Sequence, residues 1–238
     1  MKKGRLVSIL LCVVLPLLLV GGLTFLLWAL QAPPASETVT TAPTATPPAS
    51  IPSTIDLGQG LTVTKMISAA GVFPEDGKNS VLSDMFCITV HNGSDKTLQA
   101  AQIKLTVNGE DYYFSCTTLP AGASLYAYET NRKPAPLTVE SIRSECLFAH
   151  FFSVEPTNRE SELKITPADK GFTVQNLTGE DVDREIYLYY KTIQNGVYMG
   201  GITYRVKLSG LKAGEEATVY ADHATEKYTQ VMFVEYGD

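Results

Sequence analysis

Histidine is scarce in this chain: His91, His150 and His223 are the only three, and they lie far apart. No His-Glu-x-x-His run, nucleophile elbow or phosphate-binding loop is present, so the chemistry those motifs position has no visible seat. A Ser-His-Asp triad is recognised by geometry rather than by order along a chain, and no spacing here specifies one. The sequence therefore predicts a non-enzymatic protein with no catalytic or cofactor-binding residue. Cysteine is nearly as sparse. Cys87, Cys116 and Cys146 are the three that follow the N-terminal region. An odd number allows one disulfide at most and leaves a thiol over. None has a second cysteine at a ligand spacing, so no metal ligands are predicted. All three stand in or beside strand-like runs, where free cysteine behaves as a small buried hydrophobe; the bridged and unbridged alternatives both stay open.

Positive charge is short as well. The chain carries 19 Lys and Arg against 25 Asp and Glu, for a net charge of −6. Setting aside Lys2, Lys3 and Arg5 leaves about −9 on the remainder. Phosphate binding needs clustered positive charge, which argues against nucleic acid as a partner. Self-repulsion of this kind suits an exported domain.

Charge of either sign is missing altogether from Leu6 to Leu30, and none follows until Glu37. A helix over those residues rises about 37 Å, enough to cross a hydrocarbon core of about 30 Å with some tilt. Apolar regions of signal peptides usually run about 7–15 residues and end at a small-x-small site. Trp28-Ala29-Leu30-Gln31-Ala32 offers no such spacing, and Cys12 follows Ile9-Leu10-Leu11 rather than the small residues of a lipoprotein signal. An uncleaved anchor fits best. Basic residues before the span, and none just after it, place residues 1–5 in the cytoplasm and the bulk of the chain outside the cell membrane. The lipid bilayer, met through residues 6–30, is thus the first predicted partner.

Residues 31–55 are dominated by proline, threonine, alanine and serine, without an aromatic residue. Such a segment buries too little surface to offset its ordering entropy and reads as an extended stalk. From Leu57 onward the apolar period is two. Phe86, Ile88 and Val90 alternate with Cys87, Thr89 and His91, and Ile103, Leu105 and Val107 alternate with Lys104 and Thr106. Strand-like runs follow at 112–118, 125–129, 137–142 and 146–154. Asn108-Gly109 and Asn195-Gly196 are type I′ hairpin signals, because both central residues of that turn need positive φ. No stretch after the anchor has a helical period, so the fold class is all-β.

The chain also repeats itself. Residues 88–97, ITVHNGSDKT, match 172–181, FTVQNLTGED, and 119–128, LPAGASLYAY, match 211–220, LKAGEEATVY. The offset grows from 84 to 92 residues, an insertion of eight near the second hairpin. Two tandem β-sandwich repeats, 56–155 and 156–238, are expected, each of a size suited to six or seven short strands; one larger sheet domain is the alternative. Strand, Asn turn, strand and then Leu-x-Ala-Gly and strand resembles the immunoglobulin-like modules of Gram-positive cell surfaces, including FxLYD-type domains. The Phe-x-Leu-Tyr-Asp motif itself is absent, with Ile186–Tyr190 as its nearest approach. The resemblance implies an extracellular binding or spacer module without catalysis.

Three groups of residues invite a functional reading. Asn92-Gly93-Ser94 and Asn176-Leu177-Thr178 are formal glycosylation sequons, but they hold equivalent positions in the two repeats, where a tight turn wants asparagine. Asp181, Asp183 and Glu185 are spaced to share one side of an extended chain; a solvated strand edge explains them better than calcium does. The second repeat holds eight of the twelve tyrosines. If Ile186, Leu188 and Tyr190 face the core, then Tyr187, Tyr189 and Lys191 face outward, joined by Arg205 and Lys207 of the return strand. Tyrosine and arginine are over-represented at binding hot spots, so these five residues are the predicted surface for a protein or glycan ligand. The functional expectation is a membrane-anchored binding, adhesion or envelope-structural protein. An accessory or sensing subunit acting through its membrane helix is the first alternative and a cryptic hydrolase the second.

Overall fold

Alternation of branched and polar residues becomes sheet almost throughout. The computed structural model describes residues 54–73, 75 and 80–237; the expected anchor 6–30 and nearly all of the stalk lie outside the described residues. Thirteen strands follow one another: β1 (Ile55–Gly58), β2 (Leu61–Val72), β3 (Val81–Asn92), β4 (Leu98–Val107), β5 (Glu110–Leu119), β6 (Ser124–Tyr128), β7 (Ile142–Phe151), β8 (Leu163–Ala168), β9 (Gly171–Asn176), β10 (Ile186–Gln194), β11 (Val197–Leu208), β12 (Glu216–Tyr220) and β13 (Thr229–Tyr236). Among the described residues there is no α-helix.

The same pairing scheme occurs twice. β2, β3 and β6 lie side by side, as do β5, β4 and β7; later in the chain β8, β9 and β12 repeat the first arrangement and β11, β10 and β13 the second. In each half the two sets bury their apolar faces together, giving a sandwich-like, all-β fold. The first core holds Ile88, Val90, Ile103, Leu105, Phe114 and Leu125, and the second Phe172, Val174, Ile186, Leu188 and Leu211. Phe86 meets the Phe114 ring edge-on, with centroids 5.3 Å apart. Such a contact adds about 0.5–1.5 kcal/mol beyond the area it buries.

Both Asn-Gly turns form as two-residue hairpin loops. Asn108 and Gly109 have φ of 50° and 84°, and Asn195 and Gly196 have 51° and 78°. One expected strand does not form. Residues 137–142 were expected to be extended pairing, but only Ile142 joins a strand, and Leu137 is fully exposed. The Asn108 side chain holds this segment as a loop: its Oδ1 accepts from Glu140 and Ser141 N–H, and its Nδ2 donates to the Thr138 carbonyl.

The halves are joined through one sheet. β6 pairs in parallel with β11, Tyr198 opposite Leu125 and Met199 opposite Tyr126, giving the order β1-β2-β3-β6-β11-β10-β13. All the described residues fall in one compact unit, and Tyr198, from the second half, is buried in the first core.

Candidate ligand-binding face

β10 is flanked by β11 and β13, and its inward side chains go to the second core. Ile186, Leu188 and Tyr190 are all buried there. Strand geometry then turns Tyr187 and Tyr189 outward, and both are half-buried. On β11, Arg205 stands opposite Tyr189 and Lys207 opposite Tyr187, and both basic residues are exposed. Four of the five expected residues therefore share one face.

Their contacts order the face. The Arg205 guanidinium lies 5.1 Å from the centroid of the Tyr187 ring. Lys207 is 2.7 Å from Glu185, which also accepts the Tyr187 hydroxyl. These bonds hold the Glu185 carboxyl below its ordinary range and raise the Tyr187 phenol and the Lys207 ammonium. The Tyr189 hydroxyl donates to Glu235 at 2.8 Å, and its ring stacks on Phe233 with centroids 4.1 Å apart.

Lys191 is the exception, and its expected place on the face is corrected. It is wholly buried. Tyr190 pairs with Tyr204, but Thr192 pairs with Met199, so the register slips by three residues on β11. The extra residues are on β11, so Lys191 keeps the side of β10 that Tyr187 and Tyr189 occupy, but there that side is covered by the bulge and the first half, with Cys116 and Glu75 close by and Ile193 packed against the first core. The Lys191 ammonium turns into the bulge and donates to the carbonyls of Gly200, Gly201 and Ile202, at 3.3, 3.2 and 2.7 Å. Burial pushes its pKa down to about 8, against the pull of Cys116 and Glu75. The Glu75 carboxylate accepts from Gly201 N–H, and burial raises its pKa.

That bulge docks the second half on the first. The Thr117 hydroxyl of β5 donates to the Gly201 carbonyl at 2.9 Å and lies 2.9 Å from the Thr203 hydroxyl. A Cβ on Gly201 would fall 1.8 Å from the Ser115 carbonyl oxygen. Only glycine permits this approach.

Beside the tyrosine face, residues that sequence reasoning missed complete a shallow open pocket of about 590 Å³. Arg159 comes from the segment before β8, Arg184 from the loop before β10, and Tyr236 and Glu235 from β13. The Arg159 and Arg184 guanidinium groups lie 4.5 and 5.1 Å from the Tyr236 ring centroid, and Arg159 is also paired with Glu162 at 2.9 Å. Neither arginine lies in a periodic stretch, and Arg184 sits within the acidic run, so no local signal drew attention to them. Their partner is a tyrosine more than fifty residues away in sequence.

The remaining candidates resolve into structure. Asn92 and Asn176 are both completely buried. Asn92 Nδ2 donates to the carbonyls of Lys96 and Leu119, while its Oδ1 accepts from the Ser94 amide and hydroxyl. Asn176 repeats this with Glu180, Leu211 and Lys212 as acceptors and Thr178 as donor. The serine or threonine of each sequon is thus the group that closes its asparagine turn. With Nδ2 engaged and inaccessible, neither asparagine of the folded chain is presented for glycosylation. Asp181 accepts from Ala213 N–H at 2.8 Å, tying the acidic loop to the second Leu-x-Ala-Gly turn. Among the described residues no group of three His, Cys, Asp or Glu is placed to hold a metal ion. Cys87, Cys116 and Cys146 are all free thiols, and burial raises the first two to a pKa of about 12. His91 Nδ1 lies 3.1 Å from the Ser124 hydroxyl, its cross-strand neighbour. No protein-family model, curated protein or solved structure matches the chain.

Proposed function

We propose that this chain is a non-enzymatic, membrane-anchored protein that binds or adheres through the outward face of β10 and β11. In this reading residues 6–30 span the cell membrane, residues 1–5 lie in the cytoplasm, and the proline- and threonine-rich stalk carries the sheet domain outside. Each half is taken as an immunoglobulin-like sandwich, 56–155 and 156–238, on the strength of the repeated strand pairing and of the equivalent buried asparagines.

One observation carries the binding reading. Tyr187, Tyr189, Arg205 and Lys207 are drawn together on a single exposed face of an acidic molecule, with an arginine-lined pocket beside them. Neither of the two cores requires these groups to be so placed. Lys191, named from the sequence as part of the same surface, is left out of it because it is buried.

The test displays the full-length chain on liposomes and measures their adhesion to envelopes from the cells that make it. Reversing two charges, Arg205→Glu with Lys207→Glu, should lower adhesion at least tenfold, which corresponds to about 1.4 kcal/mol. Undiminished adhesion would remove this face from the function. It would favour the accessory-subunit alternative, in which the membrane helix carries the contact. N-terminal sequencing of the membrane fraction checks the anchor: a chain beginning near Gln31 or later contradicts it.

A further inference from the structure

We infer that the pocket beside the tyrosine face takes the anionic group, carboxylate or phosphate, of an acidic polysaccharide. The inference rests on the reading of this face as the partner surface and adds the class of ligand.

Charge complementarity is the first argument. Three guanidinium groups, those of Arg159, Arg184 and Arg205, converge on one pocket of a chain whose net charge is −6. Arg159 is paired with Glu162, but among the described residues neither Arg184 nor Arg205 enters a salt bridge. Each lies instead near a tyrosine ring, Arg184 at Tyr236 and Arg205 at Tyr187, and Arg205 also donates one hydrogen bond to the Tyr189 hydroxyl. A guanidinium packed on a ring is restrained in orientation and keeps N–H groups at its edge for an outside acceptor. Planar forks of this kind suit carboxylate and phosphate oxygens better than a lysine ammonium does. Glu235 is the one carboxylate in the lining, and the Tyr189 hydroxyl already donates to it.

The lining lacks the aliphatic centre of a typical protein interface. Every residue around the pocket is arginine, tyrosine, glutamate or glycine, without one aliphatic side chain. Protein partners usually bury an apolar centre ringed by polar contacts, and this pocket offers them no such centre. A hydrated, hydroxyl-rich chain bearing periodic negative charge meets hydrogen-bonding groups throughout. The face also continues past the pocket to Lys207, whose ammonium is paired with Glu185.

The experiment measures binding of the full-length chain in detergent micelles to tetragalacturonate, to its methyl ester, to a phosphorylated mannan oligosaccharide, to the same mannan without phosphate, and to polyglutamate. At least one acidic glycan should bind, and its neutral counterpart at least tenfold more weakly. Raising the salt from 50 to 500 mM should weaken binding, since exposed charges are screened. Arg184→Ala with Arg205→Ala should reduce acidic-glycan binding tenfold or more, while Lys164→Ala on β8 should not. The comparison of charged with neutral glycans uses the unaltered protein, so it holds even if the arginine variant folds poorly. Failure of both acidic glycans, equal binding of a neutral one, or survival of binding in a folded arginine variant would overturn the inference. Binding of polyglutamate alone would overturn it in favour of an acidic protein. Those failures leave the face itself standing if Arg205→Glu with Lys207→Glu still abolishes envelope adhesion; if adhesion persists, the face falls as well.

Discussion

At the scale of single residues, the most demanding positions are two asparagines and one lysine. Asn92 satisfies four polar groups from inside the protein. Asn92→Ala leaves the Leu119 carbonyl and the Ser94 amide without this partner, and should cost about 2–3 kcal/mol, read from the urea midpoint; Asn176→Ala should cost a similar amount. Ser94→Ala removes only the closing hydroxyl and should cost about 1 kcal/mol. Equal, negligible losses at both asparagines would contradict the turn reading. Lys191 makes a prediction about pH. Its pKa falls from 10.5 to about 8 in the folded chain, so between those values the unfolded chain holds the proton and the folded chain releases it. Stability attributable to Lys191 therefore rises with pH across that window, by about 1.4 kcal/mol per unit at most. Melting of the protein and of Lys191→Met, compared from pH 7 to 9.5, should diverge in favour of lysine as pH rises. A difference independent of pH would contradict its burial as described.

At the scale of elements, the joint between halves turns on β11. The Gly200–Thr203 bulge faces β5 so closely that Gly201→Ala must push against the Ser115 carbonyl. Overpacking of this kind costs about 1–3 kcal/mol. The variant should unfold at lower urea, and a midpoint equal to that of the parent would refute the close approach. The same element shows where sequence reading ended. Strands with strict alternation, such as Ile103-Lys104-Leu105-Thr106-Val107, were legible because one face is buried and the other is not, and both Asn-Gly turns were legible because their φ values select those residues. The offset between repeats announced an insertion near the second hairpin, but not a slip inside β11; the bulge that the slip makes, docked on the first half, is what covers Lys191. The matching Asn and Leu-x-Ala-Gly letters were visible as a repeat. That the buried asparagine bonds the leucine carbonyl of that loop was not, since 27 residues separate them in one copy and 35 in the other. The pocket was hidden for the same reason: Arg159, Arg184 and Tyr236 come from separate segments and carry no shared period.

At the scale of the whole molecule, the described residues form a single all-β unit with two large apolar cores, a smaller cluster around Phe73, Met85, Cys87 and Tyr128, and one sheet running through both halves. The apolar cores hold the molecule together; the face proposed to meet a partner is an outward one whose side chains contribute little to them. Replacing Tyr187 and Tyr189 by serine separates the two most directly, with melting and envelope adhesion measured on the same full-length preparation. Tyr189 stacks on Phe233 and Tyr187 packs with Arg205, so the melting free energy should fall by no more than about 1 kcal/mol. Adhesion should fall tenfold or more, the effect of losing about 1.4 kcal/mol of contact. A variant that melts like the parent and adheres as well as the parent would contradict the assignment of binding to this face.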